Sequence, residues 1–386
     1  MNFSRKKKGI SVPSTLIVFI LGIAAVAEAQ VPPDIAAGLR KIGQIVDPAC
    51  TAKLYRPLMP KNDYNTYWPV GASASANVGP LYPGVAIARD VSFGPHPKDL
   101  LDIFSPDKGS GNHTVLIYLP GGGGNKIEQQ DREANAFYDN IGRWAVKNDM
   151  IAVTMQRHPG ENWDDGGKDI STMIQWLQAN ITKYKGNPDR MFIWAHSAGN
   201  GPLGVYIGHP ELHGPKGPGV RGAIFMSGNP VPGVGGAAAA PAPGAPNPLA
   251  DAGKACGVAD GAGPNATAGA ISGPSSVKAG GGERGGARGP QPPVDAATQA
   301  ARSNLPGFKS TKVAIFLARA ELDPGVKGDM LPSDIALHDE MCKEGKEHCP
   351  TMLFLKGESH MSEVFSIDTD DKTVSGPIPA WMKKVK

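Results

Sequence analysis

The sequence is poor in aromatic residues, in charge and in long apolar runs. Of its 386 residues, 6% are aromatic and 19% are charged. The longest apolar run extends from Thr15 to Ala27 and is shorter than the roughly 20 residues that a membrane-spanning helix needs. With 40% apolar residues, the chain is too polar for a polytopic membrane protein and too apolar for general disorder.

The first 29 residues have the pattern of a secretory signal peptide. A basic cluster, Arg5 to Lys8, precedes the apolar run, and small residues stand two apart at Ala27 and Ala29. This pattern predicts cleavage after Ala29, with an uncleaved anchor as the less favoured alternative. We therefore expect a periplasmic or secreted protein that has no stable membrane association after cleavage.

Removal of this leader would leave a chain without net charge. The whole sequence has a formal net charge of +3, and residues 1–29 carry four positive charges and one negative charge. A neutral mature chain gives no electrostatic reason to expect a nucleic-acid partner.

Four cysteines are present, and in an exported protein an even number of cysteines indicates disulfides. Cys342 and Cys349 enclose six residues, which favours a local bridge between them. Cys50 would then pair with Cys256, although the connectivity stays open because four cysteines allow three pairings. The spacings match no zinc-binding pattern, so we expect no metal site.

Short apolar runs alternate with amphipathic stretches from about residue 85 onward. Continuous apolar runs are typical of strands buried on both faces of a parallel sheet. Helical spacing marks Glu128–Lys147 and Asp169–Tyr184, and a further helix is expected at Asp34–Val46. The alternation predicts an α/β fold. The predicted strands are Val85–Phe93, Leu100–Phe104, Val115–Leu119, Ile151–Met155, Met191–Ala195, Gly222–Ser227, Val313–Ala318 and Met352–Leu355.

One region breaks this alternation. The chain has 50 glycines and 36 prolines, and residues 229–293 are rich in both, with few large apolar residues. We interpret this region as a long loop-like insertion and a candidate lid, because it lies between two predicted strands of one domain. The predicted organisation is a signal peptide at 1–29, an N-terminal extension at 30–80 and one domain at 81–386.

A serine between small residues follows one of the apolar strands directly. Ser197 has Ala195 two positions before it and Gly199 two positions after it. A nucleophile elbow needs small residues at these positions, because larger side chains would collide with the neighbouring strand and helix. The alternative is a serine in a tight turn that serves packing alone.

Four consecutive glycines, Gly121 to Gly124, follow the strand Val115–Leu119. Glycines let a backbone approach a ligand and point its N–H groups at developing negative charge. A phosphate-binding loop is the competing interpretation, but the Gly-Lys-Ser/Thr ending of that motif is absent. The position at a strand's C-terminal end favours an oxyanion loop over a merely flexible one.

An acidic residue and a histidine follow two later strands. Asp323 comes after the strand Val313–Ala318, and His360 comes after Met352–Leu355. With Ser197, they give the chain order Ser, Asp, His that is typical of one class of hydrolases. Glu321 is the reserve candidate for the acid.

These motifs, together with Phe93–Pro95, Leu101–Phe104, Trp176–Leu177 and Gly186–Arg190, make residues 82–367 resemble the α/β-hydrolase carboxylesterases. The resemblance is to the bacterial branch near the hormone-sensitive-lipase-like and feruloyl-esterase-like enzymes. It implies an α/β-hydrolase fold with a mostly parallel central sheet and helices on both faces. It also implies a serine esterase that acts on small or aryl carboxylic esters without a cofactor.

The resemblance assigns a role to each motif residue. Ser197 would be the nucleophile, His360 the general base and Asp323 its orienting acid. The oxyanion donors would be the backbone N–H groups of three residues: Gly122, Gly123 and Ala198.

Three positions depart from the family pattern. Pro120 stands where the family usually has histidine, Gly124 where it usually has an aromatic residue, and Ala195 where it usually has glycine.

Other functions remain compatible with the same residues. An amidase, a formamidase or an acyltransferase could use the same triad. A non-catalytic binding protein on this fold is the alternative outside the enzymes.

Overall fold

The computed structural model describes residues 30–59, 82–129, 137–158, 160–234, 253–257 and 295–386. The predicted signal peptide lies outside these residues. So do residues 60–80 of the predicted N-terminal extension and most of the predicted insertion at 229–293. The division into a leader, an extension and one domain therefore stays a prediction.

The centre of the molecule is an eight-stranded sheet with the order β1-β2-β4-β3-β5-β6-β7-β8. Strand β2 is antiparallel to both of its neighbours, β1 and β4, and the other pairs are parallel. The strands are β1 (Val85–Ser92), β2 (Leu100–Pro106), β3 (His113–Leu119), β4 (Met150–Met155), β5 (Gly186–His196), β6 (Gly222–Met226), β7 (Ala314–Leu322) and β8 (Thr351–Ser359). All eight predicted strands are confirmed, with shifted ends.

Helices cover both faces of this sheet. They are α1 (Pro33–Ile42), α2 (Pro48–Tyr55), α3 (Asp139–Lys147), α4 (Asp165–Asn180), α5 (Asn200–Gly208), α6 (Ala296–Ala301), α7 (Leu305–Ser310), α8 (Pro332–Cys342), α9 (Ser362–Phe365) and α10 (Pro377–Lys384). None of these helices, within the ranges that the structure describes, is long and apolar enough to cross a membrane. The predicted α/β architecture is confirmed.

Alternate residues of β3 enter two separate apolar cores. Leu116 and Tyr118 belong to one cluster of buried side chains, and Val115, Ile117 and Leu119 belong to the other. Successive side chains of a strand point to opposite faces of the sheet, so a strand between two cores must be apolar throughout. This is why the central strands are visible in the sequence as continuous apolar runs.

The N-terminal helices pack onto the first of these cores. Leu39 of α1 and Tyr55 of α2 are fully buried there. The hydroxyl of Tyr55 donates to Asp371 Oδ2 at 3.1 Å, and Gln44 Nε2 donates to the carbonyl oxygen of Val326 at 2.6 Å. Residues 30–59 therefore contribute to the core that they cover.

Two predicted helices have different bounds in the structure. The helix expected at Asp34–Val46 is α1, and it ends at Ile42 because Gly43 has a φ of +83°, outside the helical region. The helix α2, which follows the N-cap Asp47, was not predicted.

The helix expected at Glu128–Lys147 is wrong in its first part. Glu128 and Phe137 form an antiparallel bridge, and Tyr138 has a left-handed backbone with a φ of +71°. The helix α3 begins only at Asp139. The helix expected at Asp169–Tyr184 begins earlier, at Asp165, and ends at Asn180, where a short 3₁₀ turn continues to Tyr184.

The structure contains two disulfides, and both have the predicted pairing. Cys342 and Cys349 join the end of α8 to the segment before β8. Cys50 of α2 joins Cys256, and these cysteines lie 206 positions apart in the chain. Beside this second bridge, the N–H of Gly253 donates to Asp47 Oδ2 at 2.7 Å, so the short segment 253–257 is held against α2.

Candidate active site

Ser197 lies on the sharp turn between β5 and α5. Its φ of +52° is a strained backbone conformation for a residue other than glycine, and it is typical of a nucleophile elbow. Gly199 approaches the end of β3 so closely that a Cβ atom there would lie 2.7 Å from the carbonyl oxygen of Leu119. Ala195 is fully buried. Close packing around the turn therefore explains the small residues that flank the serine.

His360 brings together the other two candidate residues. Its Nε2 atom lies 2.8 Å from Ser197 Oγ, and its Nδ1 atom lies 2.5 Å from Asp323 Oδ1. Since β7 ends at Leu322 and β8 ends at Ser359, the acid and the histidine both directly follow adjacent parallel strands. A carboxylate only accepts hydrogen bonds, so Nδ1–H donates to Asp323 and Nε2 is left to accept from the serine hydroxyl.

The second oxygen of Asp323 is held by Arg319. The guanidinium donates to Asp323 Oδ2 at 2.7 Å and also to both carboxylate oxygens of Asp334. Burial alone would raise the pKa of Asp323, but the hydrogen bond with His360 and the charges of His360 and Arg319 lower the pKa below its ordinary value. Asp323 is therefore a carboxylate at neutral pH.

Glu321, the reserve candidate for the acid, is engaged elsewhere. Its Oε2 atom accepts a hydrogen bond from the backbone N–H of Gly357 at 2.7 Å. Gly357 is part of β8, two strand residues before Ser359. The carboxylate of Asp323, and not that of Glu321, is thus hydrogen-bonded to the imidazole of His360.

The glycine segment lies directly against the serine. A Cβ atom on Gly121 would lie 2.6 Å from Ser197 Cβ, so only glycine fits at that position. The segment turns tightly, with the N–H of Gly124 donating to the carbonyl oxygen of Gly121 at 2.9 Å. Gly122 and Gly124 have φ values of +48° and +81°. The backbone of this loop therefore borders the reacting hydroxyl.

The three predicted oxyanion donors have no competing acceptor among the residues that the structure describes. Within the described ranges, the N–H groups of Gly122, Gly123 and Ala198 donate to no other residue. Gly122 and Gly123 are also exposed. Uncommitted N–H groups beside a nucleophile are what an oxyanion hole requires.

Comparison with known proteins gives matches to ester hydrolases. The BD-FAE family model matches residues 101–209. The probable carboxylic ester hydrolase LipM of Mycobacterium tuberculosis is 30% identical over 178 residues, which are 42% of this chain and 39% of LipM. The chain has the α/β-hydrolase fold, and within these segments its sequence is similar to those of ester hydrolases.

Further matches of this α/β-hydrolase are shorter. The probable isoprenylcysteine alpha-carbonyl methylesterase ICMEL1 of Arabidopsis thaliana is 26% identical over 118 residues, which are 29% of this chain and 23% of that protein. The chain thus spans less than half the length of these curated relatives.

Among solved structures, a thermostable esterase from Pseudomonas putida ECU1011 gives a TM-score of 0.49 at 12% identity, over 92% of this chain and 95% of that one.

A buried polar group behind the elbow was not predicted from the sequence. His196 Nε2 lies 2.8 Å from the carbonyl oxygen of His360 and 3.0 Å from Glu363 Oε1. Burial lowers the pKa of His196 to about 4 and raises the pKa of Glu363 well above its ordinary value. Ser227 Oγ donates to Glu363 Oε2 at 2.9 Å. Through His196, these side chains connect the residue before Ser197 to the backbone carbonyl of His360, the candidate base.

Arg157 and Arg319 are two further residues of the α/β-hydrolase site that were not predicted. Arg157 donates to the glycine loop, and Arg319 donates to Asp323. Arg157 stands two residues after β4, at the same edge of the sheet as the motifs that were recognised. That position is the signal that could have identified it.

A cluster of residues with metal-ligand chemistry includes His158, which follows Arg157 in the chain. The ligand atoms of His96, Asp99 and His158 lie within 4.8 Å of one another. The two imidazole rings, however, stack at 4.0 Å with an interplanar angle of 21°. Imidazole lone pairs lie in the ring plane, so the lone pairs of these two stacked rings lie in separate, nearly parallel planes, which is unfavourable for binding one ion between them.

Proposed function

We propose that this α/β-hydrolase is a serine carboxylesterase that hydrolyses small or aryl carboxylic esters through an acyl-enzyme. The observation that carries the proposal is the contact of His360 with both Ser197 and Asp323. The names of two relatives, a carboxylic ester hydrolase and a methylesterase, support an ester as the substrate.

Acylation would begin at Ser197. His360 Nε2 takes the hydroxyl proton as Ser197 Oγ attacks the ester carbonyl carbon. Asp323 holds the imidazole in the required tautomer and stabilises the imidazolium that forms. The lowered pKa of Asp323 supports this role, because a protonated acid would supply no negative charge.

The negative oxygen of the tetrahedral intermediate would be stabilised by backbone donors. The N–H groups of Gly122, Gly123 and Ala198 have no other acceptor among the described residues, so they are available to it. Removal of one such donor typically costs about 3 kcal/mol of transition-state stabilisation.

Collapse of the intermediate would release the alcohol. The carbon–oxygen bond to the alcohol breaks, and His360 gives its proton to the leaving oxygen. Deacylation repeats the sequence with water as the nucleophile: His360 takes a proton from the water, and Ser197 Oγ leaves with that proton. No cofactor takes part in these steps.

An amidase, formamidase or acyltransferase would use the same atoms up to the acyl-enzyme. These activities differ in the leaving group and in the nucleophile of the second step, so p-nitrophenyl esters and p-nitroanilides tested side by side distinguish them. We expect hydrolysis of the esters and little turnover of the anilides.

We also propose that the protein works after export, in the periplasm or outside the cell. Its two disulfides support this, because disulfides persist in oxidising compartments.

The test is the hydrolysis of p-nitrophenyl esters by the wild type and three variants. We expect Ser197→Ala to lower kcat by about 10⁴-fold or more, and Asp323→Asn to lower it by about 10⁴-fold. The matched control is Glu321→Gln. It removes a neighbouring acid whose carboxylate accepts a hydrogen bond from the N–H of Gly357, and this variant should retain most of the activity.

Labelling with a fluorophosphonate probe provides the second readout. The wild type should be labelled and Ser197→Ala should not, with unchanged circular dichroism. Retained turnover in Ser197→Ala would refute the proposed function, and an unlabelled, inactive wild type would favour a non-catalytic binding protein. Loss of activity in Glu321→Gln instead of Asp323→Asn would assign the role of the orienting acid to Glu321.

A further inference from the structure

Arg157 holds the glycine loop by its carbonyl groups. Its Nε atom donates to the carbonyl oxygen of Pro120 at 2.6 Å, and its Nη2 atom donates to those of Gly121 and Gly122 at 3.2 Å each. The backbone N–H of the same arginine donates to the carbonyl oxygen of Gly124 at 2.8 Å. One residue thus binds four carbonyl groups of a five-residue segment.

Because the peptide bond is planar, these contacts also determine the directions in which the neighbouring N–H groups point. In a trans peptide, the carbonyl of one residue and the N–H of the next point in opposite directions. No cis peptide bond occurs among the described residues. Because the carbonyls of Gly121 and Gly122 face Arg157, the N–H groups of Gly122 and Gly123 point away from it.

Serine and arginine contact the loop at different atoms. Ser197 lies against the Cα of Gly121: a Cβ atom built on Gly121 would be 2.6 Å from the Cβ atom of Ser197. Arg157 contacts the carbonyl oxygens. The N–H groups that Arg157 turns away from itself, those of Gly122 and Gly123, have no acceptor among the described residues.

Arg157 has no carboxylate partner among the described residues. Burial lowers the pKa of Arg157 from its ordinary value, and nearby Tyr138 and Tyr118 act in the opposite direction. An arginine that is half-buried without an acid is stabilised by the carbonyl dipoles that it binds. Its charge is therefore directed at the loop.

We propose that Arg157 is a positioning residue that orients the peptides of Gly122 and Gly123 as oxyanion donors. This inference rests on the proposed function and extends it to a residue outside the triad. The guanidinium fixes three carbonyl groups at once, which an ammonium group cannot do with the same planar geometry. It also polarises each peptide that it binds, so the opposite N–H becomes a stronger donor.

The test compares Arg157→Lys with Arg190→Lys in the full-length protein. Arg190 is a matched control, because its guanidinium also donates to two backbone carbonyls, those of Met382 and Val385, at the end of α10. For Arg157→Lys we expect kcat on a p-nitrophenyl ester to fall about tenfold to a hundredfold, with KM changed less than about threefold. Arg190→Lys should keep kcat within about twofold of the wild type.

Two further measurements exclude a merely structural effect. A trifluoromethyl ketone forms a tetrahedral oxyanion on the serine, so Arg157→Lys should weaken its binding by about the same factor as it lowers kcat/KM. Amide hydrogen exchange should become faster in the peptide that contains residues 119–125 and stay unchanged in the central strands.

The outcomes separate this inference from the proposed function. If the wild type hydrolyses esters and Arg157→Lys retains its kcat, or if loop exchange does not change, the role of Arg157 is refuted and the triad is unaffected. If the wild type turns over no ester and does not react with the fluorophosphonate, the proposed function fails. Loop exchange then still decides whether Arg157 holds the loop.

Discussion

At the scale of single residues, the site depends on which acidic groups stay charged. Asp323 is ionised because His360 and Arg319 offset the cost of its burial. A lowered carboxyl pKa contributes stability that is present above the pKa of the unfolded chain and is lost as the pH falls through the lower value. Acid should therefore weaken both the candidate triad and the fold around it.

Glu128 has the opposite behaviour. Burial raises its pKa from an ordinary value of 4.5 to about 7, and the hydrogen bonds from Gln129 only partly offset this. Between these two values the folded chain retains a proton that the unfolded chain releases, so the free energy of unfolding falls as the pH rises.

We predict that Glu128→Gln stabilises the protein above pH 7 and has little effect at pH 4. The amide replaces the neutral acid, and the gain at pH 8 should be on the order of 1–3 kcal/mol. Urea unfolding at pH 4, 6 and 8 measures it. A variant with the same pH slope as the wild type would show that Glu128 is not the group that titrates.

At the scale of elements, the two disulfides should differ in their contributions. Cys50 and Cys256 lie 206 positions apart, whereas Cys342 and Cys349 lie 7 apart. A longer loop loses more chain entropy in the unfolded state when it is closed, so the bridges should stabilise by about 5 and about 2.5 kcal/mol respectively.

The measurement is guanidinium unfolding of two double variants. Cys50→Ser/Cys256→Ser should lose more stability than Cys342→Ser/Cys349→Ser. Equal losses would indicate that residual structure in the unfolded chain already holds α2 near residue 256.

Elements differ in how visible they are in the sequence. The strands were predictable because β3 and its neighbours are apolar on both faces, and the chain order of Ser197, Asp323 and His360 follows from three strand ends. The start of α3 was not predictable, because Tyr138 has a left-handed backbone, which is uncommon for a residue other than glycine and which the sequence does not mark. Arg157 was missed for another reason: its partners are carbonyl oxygens, which every residue has.

At the scale of the whole molecule, the N-terminal helices and the sheet share one apolar core. Leu39 is fully buried in the cluster that also contains Phe104 and Trp194. Residues that share a core normally unfold together. The predicted extension should therefore not behave as an independent unit over residues 30–59.

We predict that Leu39→Ala lowers the free energy of unfolding by about 2–5 kcal/mol, because it leaves a cavity in that core. The matched control is Leu58→Ala on the same segment, where the side chain is 43% exposed and the change should stay within about 0.5 kcal/mol. Tryptophan fluorescence and far-ultraviolet circular dichroism should give one coincident transition. Two separate transitions, with only one shifted by Leu39→Ala, would contradict a shared core.

The Cys50–Cys256 bridge also makes the covalent topology of the chain asymmetric. Ser197 lies inside the ring that the bridge closes, whereas Asp323 and His360 lie on the tail that leaves it. A single proteolytic nick between residues 197 and 256 would leave the three residues in one covalent molecule until a reductant breaks the bridge. A nick between residues 257 and 295 would divide them into two polypeptides, held together only by non-covalent contacts.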